Sequence, residues 1–559
     1  MFSKKFFYLG EPRDRDKTDI STYIFTDRAV YRPGQTIHFK GIVLEKNGEE
    51  TNLKKGYSTG IELKDVNHQK ISEKSVTTNE YGSFSGSFIL PEATLTGDFR
   101  IITDEGRTTV KVEEYRRPRF KVDLKPMEGT YRLNETIEVT GKAEAFAGYP
   151  VDGAKVKYTV KRKTRFPFPM RYFIPRPASP EYTLTSGTTL TQSDGSFSLQ
   201  FETLPDPTVS RDTKPVFDFE VSVEVTDKNG ETHTAKRFIA AGYDSFIPRL
   251  KVDEVVDKQQ PLKIIPDIEN LSGETINAEG VLSVYRLKDF DRLMKDRKWA
   301  QPDSQIYSKE AFAELFEHYP YESENKIESL PVDKRLVEEP FYTGTDSLIT
   351  KNIQDWPLGA YKLVFDVSKN RETHKVEKWI TVYDSGDDEM PLNQYAFFKT
   401  EKQKAEPGEK VTVLLGSAAR KVKAVVKAEQ DGNIFFEEEL TIRDEVEKVQ
   451  IPVKEKHRGG FGIHAYFVKD NRLYSFTEKI NVPWSNKKLD IELAVNETPL
   501  TPGGMEEWTV TVKGPDAEKT TAELLAGMYD ASLDEIAPHK PWNLGQIYPE
   551  YSLARWYSN

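Results

Sequence analysis

Across residues 26–43 a polar stretch turns at Arg32-Pro33-Gly34 and then alternates, with Ile37, Phe39 and Gly41 separated by polar residues. Proline followed by glycine makes a turn, and the period of two behind it is that of a half-buried strand. The same design returns at residues 129–141, 406–416 and 500–514. Repetition of one unit predicts an array of similar domains. A second element, a turn glycine leading into an alternating strand, occupies residues 81–88 and 194–201. A closing hairpin follows at 218–225 with its turn at Asp227-Lys228-Asn229-Gly230, and related endings stand at 358–363 and 460–466. Opening, middle and closing strands at these intervals describe sandwiches of roughly seven strands each.

The strand pattern breaks at Arg117-Pro118, Ile247-Pro248, 385–388 and 483–486, which divides the chain into units 1–117, 118–247, 248–385, 386–485 and an incomplete 486–559. The third unit departs from the others. Residues 308–318 have helical spacing, with Phe312, Leu315 and Phe316 on one side, and are expected as an insertion between strands. The expected fold is therefore all-β, a tandem array of antiparallel β-sandwiches with a small helical insertion in the third.

A chain of 559 residues exceeds what one core serves, and 37% hydrophobic with 30% charged residues suits several modest domains. The net charge of −11 is spread along the chain and gathers no basic stripe, so nucleic acid is not an expected partner. No apolar stretch approaches the roughly 18 to 20 residues of a membrane span, and the first ten residues lack the apolar core of a signal peptide. A signal for export is expected upstream. Cysteine is absent, which excludes disulfides, thiol nucleophiles and a cysteine-derived thioester from these residues.

Candidate catalytic and cofactor motifs are incomplete in this sequence. None of the eight histidines forms a metalloprotease pair; the nearest two, His457 and His464, are read as packing or surface residues. Ser485 and Lys488 have the spacing of a lysine-activated serine but stand in a polar linker, and Phe84 occupies the nucleophile position of the Gly82 to Gly86 run. Phosphate loops are missing. Carboxylate neighbours such as Glu113-Glu114 and Asp387-Asp388 point to opposite faces of an extended chain. Asn134, Asn270 and Asn496 begin glycosylation-type triplets that are expected to stay bare. Residues 165–173, where prolines alternate with aromatics, are expected as a loop over the second sandwich, with a contact surface for a neighbouring domain or partner as the alternative. No enzyme, metal site or cofactor is expected.

Three segments carry a family resemblance. Residues 23–43, with Phe25-Thr26-Asp27-Arg28 and Tyr31-Arg32-Pro33-Gly34, resemble the opening of the second macroglobulin-type domain of alpha-2-macroglobulins. Residues 112–122, with Tyr115 and Pro118, resemble the junction to the third domain, and residues 525–533, with Asp530, are similar to the domain that precedes the bait. Asp27, Arg28, Tyr31, Pro33, Gly34, Tyr115, Pro118 and Asp530 are expected as structural residues of that pattern. The resemblance implies macroglobulin-type, fibronectin/Ig-like domains forming the scaffold of a broad-spectrum endopeptidase inhibitor: a protease cuts a bait, the domain ring rearranges, and the attacker is enclosed. The bait is expected beyond Asn559, and the family's Cys-Gly-Glu-Gln thioester motif is not in these residues. The lack of cysteine suggests a bacterial, exported relative, periplasmic or held by an upstream lipid anchor. Expected partners are target endopeptidases and the other domains of the parent chain. The alternative is a cell-surface adhesin or glycan-binding stalk, because tandem sandwiches serve that purpose too.

Overall fold

Alternation fixes the strands. Along Thr136–Ala145 the residues Ile137, Val139, Gly141, Ala143 and Ala145 turn inward while their neighbours face outward, as a period of two requires. The computed structural model describes residues 18–553 apart from 48–49, 116–117, 127–128, 167–180, 299, 302–303, 495–503, 516–521 and 546. The first ten residues, Asn496 and most of the proline-aromatic segment thus lie outside the described residues.

Four antiparallel β-sandwiches follow one another, each with its own apolar core. In the first, a sheet of Thr18–Thr26, Thr36–Asn47, Glu50–Leu53 and Ser83–Ile89 faces a five-stranded sheet whose edge is the short parallel strand Val30–Tyr31. The second packs Phe120–Leu124, Thr136–Ala145 and Ser196–Glu202 against Tyr182–Leu190, Lys155–Arg165, Val216–Thr226 and Thr232–Gly242. The third pairs a three-stranded with a five-stranded sheet, and the fourth repeats the three-plus-four arrangement of the second between Phe397 and Ile480. The strand Phe246–Lys251 straddles the division expected at residue 247. Beyond the fourth sandwich, among the described residues, only the hairpin Asp490–Ala494 with Thr509–Lys513 is paired.

The repeated glycines have a packing role as well as a turn role. Gly41 lies opposite Phe84 across the ladder, and Gly141 opposite Phe197. A Cβ at Gly41 would come within 2.1 Å of the Phe84 ring, and one at Gly141 within 2.3 Å of the Phe197 ring. Each ring lies over the glycine and fills the space a side chain would take. Gly141→Val should therefore push Phe197 off its rotamer and lower stability by about 1 to 3 kcal/mol, measured by denaturant unfolding. Gly34 serves its turn, with φ of +80°, a conformation that glycine adopts without strain.

Residues 288–331 form the insertion, between Glu279–Leu287 and Val332–Tyr342 of the third sandwich. Its helix, Lys309–Leu315, starts where the Ser308 hydroxyl accepts from the Ala311 N–H. Its apolar side is not buried: Phe312 packs on Phe316 and Tyr321, while Leu315 stays 60% exposed. The insertion leans on the fourth sandwich instead. Leu293 joins that core, Lys295 Nζ donates to the Asp470 carbonyl at 2.8 Å, and Tyr395 donates to the Asp470 carboxylate while touching His318.

A buried histidine makes the fourth sandwich sensitive to acid. His457 is 1% exposed and stacks on Phe435 at 4.1 Å. Burial, with Lys456 and Lys454 adding to it, pushes its pKa down to about 4. The folded value lies below the ordinary value of about 6.5, so the unfolded chain takes up the proton first. The neutral ring's contribution is complete above about pH 6.5 and is lost as pH falls toward 4. His457→Phe should flatten the melting temperature over that range.

Candidate functional site

The motif residues of the first sandwich form one hydrogen-bonded knot. Asp27 Oδ1 accepts from the Tyr31 hydroxyl at 2.6 Å and from the His38 N–H at 2.9 Å. The Arg28 N–H donates to the same hydroxyl, and the Arg28 guanidinium lies over the Tyr31 ring. Burial and then Asp27 raise the Tyr31 pKa far above its ordinary value, so the phenol remains a donor. Arg32 donates to the Tyr115 carbonyl at 2.9 Å and stacks on its ring, which ties the junction segment to the opening turn. Gly34 donates its N–H to the Pro91 carbonyl, and Pro118 stands half-buried between the first two sandwiches.

This knot receives the C-terminal segment. Asp530 caps the short helix Ala531–Glu535 by accepting from the Ser532 N–H. The Tyr529 hydroxyl and the His539 N–H both donate to Asp534, which folds the segment on itself. Trp542 and His539 then converge on one acceptor, the Thr26 carbonyl, at 3.4 and 3.3 Å. Phe25 packs beside Trp542, and Gly527 lies close enough that a Cβ would meet the indole at 3.1 Å. Glu523 adds a charged anchor, at 3.0 Å from Lys40 Nζ and accepting from Ser83 and Asn79. Burial raises its pKa, but the bonds from Ser83, Lys40 and Asn79 outweigh that and hold it below the usual carboxylate range.

A few residues later the same segment is bound to the fourth sandwich. Trp484 Nε1 donates to the Pro549 carbonyl at 2.9 Å and its ring stacks on Tyr548. The Tyr551 N–H donates to the Gly459 carbonyl at 3.0 Å, and the Tyr551 hydroxyl to Glu429. Residues 523–551 thus act as a strap joining the first sandwich to the fourth, and the array closes on itself.

A second clamp fixes the middle of the array. Glu372, on the third sandwich, is 7% exposed and accepts from Arg132 of the second at 2.6 and 2.9 Å. It also accepts from the Ser245 N–H and hydroxyl, and lies 2.5 Å from His374 Nε2. Burial raises its pKa, but His374, Ser245 and Arg132 together hold it below the ordinary range. Asp244, Glu372 and His374 are the one group among the described residues whose ligand atoms come close enough for a metal. The Arg132 guanidinium already takes Glu372, so the geometry is that of an ion pair.

The remaining candidates have structural partners. His457 is enclosed in its core while His464 lies 3.5 Å from Glu429. The Ser485 hydroxyl sits in a single helical turn, donates to Glu406 and accepts from Arg458, while Lys488 faces Asp490. Asn270 is buried and its amide is bound to the Gly129 carbonyl, which closes it to a glycan. Glu372, Glu523 and Trp542 carry no local signal in the sequence, since their partners lie hundreds of residues away, and the partners of Trp484 lie about 65 residues on.

Two family models match, described as MG2 domain over residues 21–122 and as alpha-2-macroglobulin bait region domain over residues 396–533. The chain carries two segments of alpha-2-macroglobulin type, one at each end of the array. Alpha-2-macroglobulin of Thermotoga maritima is 28% identical over 162 residues, 28% of this chain and 10% of the relative. An alpha-2-macroglobulin homolog of Nostoc is 20% identical over 96% of this chain and 28% of its own length. This chain therefore spans under a third of these macroglobulins. Trypsin-activated alpha-2-macroglobulin from Escherichia coli aligns with 89% of the chain and 33% of its own, at 14% identity and a TM-score of 0.45. The bait-region match takes in the whole fourth sandwich and ends within the strap, whereas the bait itself is expected from the sequence beyond Asn559. Among the described residues no helix is long and apolar enough to cross a membrane.

Proposed function

We propose that this chain is the non-enzymatic scaffold of a protease-trapping macroglobulin, a closed array whose rearrangement after bait cleavage encloses the attacker. The observation that supports it is the strap: one segment held by Glu523 and Trp542 on the first sandwich and by Pro549 and Tyr551 on the fourth. Such a segment converts a cut nearby into movement of two domains at once, since both ends lose a shared tether. Each sandwich is taken as a folding domain with limits near 117, 247, 385 and 485, and the strap as part of an incomplete fifth. The bait is placed outside the four sandwiches, because a strand within a ladder is held away from a protease's extended substrate channel. The parent protein is read as exported to the bacterial periplasm or cell envelope, with endopeptidases as its targets and its other domains as partners.

The reading separates capture from direct inhibition. Mixed with several endopeptidases, this chain alone should leave their hydrolysis of proteins and small peptides unchanged. Stoichiometric inhibition by the chain alone would replace capture with active-site binding.

A further inference from the structure

Along Gly106–Val112, the strand that borders Val30–Tyr31 in the first sandwich, backbone groups alternate between two sides. The Lys111 N–H faces away from its hairpin partner and donates to the Ala29 carbonyl, and the Glu105 carbonyl faces the same way, accepting from the Thr22 N–H. By the same period of two, the N–H and C=O of Arg107 and Thr109 face that side. Among the described residues they have no backbone partner there. The chain leaves a gap in its edge, two outward-facing residues long.

That gap opens on a cleft of about 620 Å³ between the first sandwich and residues 537–543 of the strap, within the roughly 300 to 1,000 Å³ of ligand sites. Its walls carry Arg107, Lys111 and Lys540 against a single carboxylate, Asp98, with Phe25 and Trp542 as apolar surface. Lys111 is held by Glu113 at 2.7 Å, while Arg107 and Lys540 have no acidic partner among the described residues. In a chain of net charge −11, two such cations beside an open strand edge form a local exception.

We propose that this cleft binds an extended acidic peptide, which adds as a short strand along Arg107–Thr109 and places carboxylates against Arg107 and Lys540. Main-chain bonds to an open edge supply affinity without sequence preference, and the cations select the charge. The peptide would touch both the first sandwich and the strap, so its binding also holds the strap closed. The site itself does not depend on protease capture.

The test is fluorescence anisotropy with two labelled pentapeptides, Val-Glu-Val-Glu-Val and Val-Lys-Val-Lys-Val, titrated with the whole chain. The glutamate peptide should bind saturably, and the lysine peptide at least about 10-fold more weakly. Arg107→Glu should weaken the glutamate peptide about 10-fold. Thr109→Pro should remove its binding, since proline deletes an outward N–H and spares the ladder. Melting curves establish that each variant is folded; should Thr109→Pro fail, the exposed Arg107→Glu decides. Equal binding of both peptides, no saturable binding, or unchanged affinity in Arg107→Glu would overturn the proposal.

Discussion

Glu372→Ala is expected to lower the stability of the second and third sandwiches together by about 3 to 5 kcal/mol, the loss that follows when one member of a buried ion pair is removed. The lower part of that range applies, because the Arg132 side chain is 37% exposed and can return to water. The Ser245 N–H and hydroxyl cannot, since Ser245 is 3% exposed and both donate to Glu372. Arg132→Ala should cost less, as Ser245 and His374 still serve the carboxylate. The sign of the pH dependence follows from the lowered pKa of Glu372. Its contribution is present above the ordinary glutamate pKa of about 4.3 and is lost as pH falls through the lower folded value. Calorimetry from pH 7 to 3 should show the wild type and Glu372→Ala converging.

Releasing the strap should change shape more than stability. The double variant Glu523→Ala, Trp484→Ala removes the carboxylate shared by Lys40, Ser83 and Asn79, and the indole that holds Pro549 and Tyr548. Each anchor is partly exposed, so about 1 to 2 kcal/mol apiece is expected, and the four cores do not depend on either. Small-angle scattering should show a larger radius of gyration, while core melting stays within a few degrees. Because the chain has no cysteine, a spin-label pair placed on the first and fourth sandwiches can report the same opening. An unchanged distance would mean that the other junctions alone hold the curve.

What could be read from the sequence was whatever local spacing encodes. The strand periods, the turns at Gly34 and Gly230, and the helix after Ser308 depend on neighbours within a few positions. The glycines of the repeat were visible, but their partners were not: Gly41 as a turn-and-strand residue gives no sign that Phe84 will lie over it. Asp27, Arg28, Tyr31 and Asp530 stood out as a family pattern. That the strap docks beside the Thr26 carbonyl depends on contacts such as Ser83 with Glu523, 440 residues apart. Arg132 and Glu372 meet across 240 residues, and no property of either position singles it out among the chain's many charges. Leu315 shows the converse limit. Helical spacing put it on one side with Phe312 and Phe316, yet a seven-residue helix in an insertion leaves Leu315 and Phe316 exposed.

The most direct measurement uses the full parent protein, exposed to several endopeptidases, with the earliest cuts mapped by mass spectrometry and the product tested for retained protease. A trapping scaffold predicts first cuts clustered in one short segment outside the four sandwiches, and a protease that co-elutes with the cleaved product while still hydrolysing small substrates. Cuts scattered through the linkers between sandwiches, with no protease retained, would contradict it and leave an extended stalk of β-sandwiches as the better account.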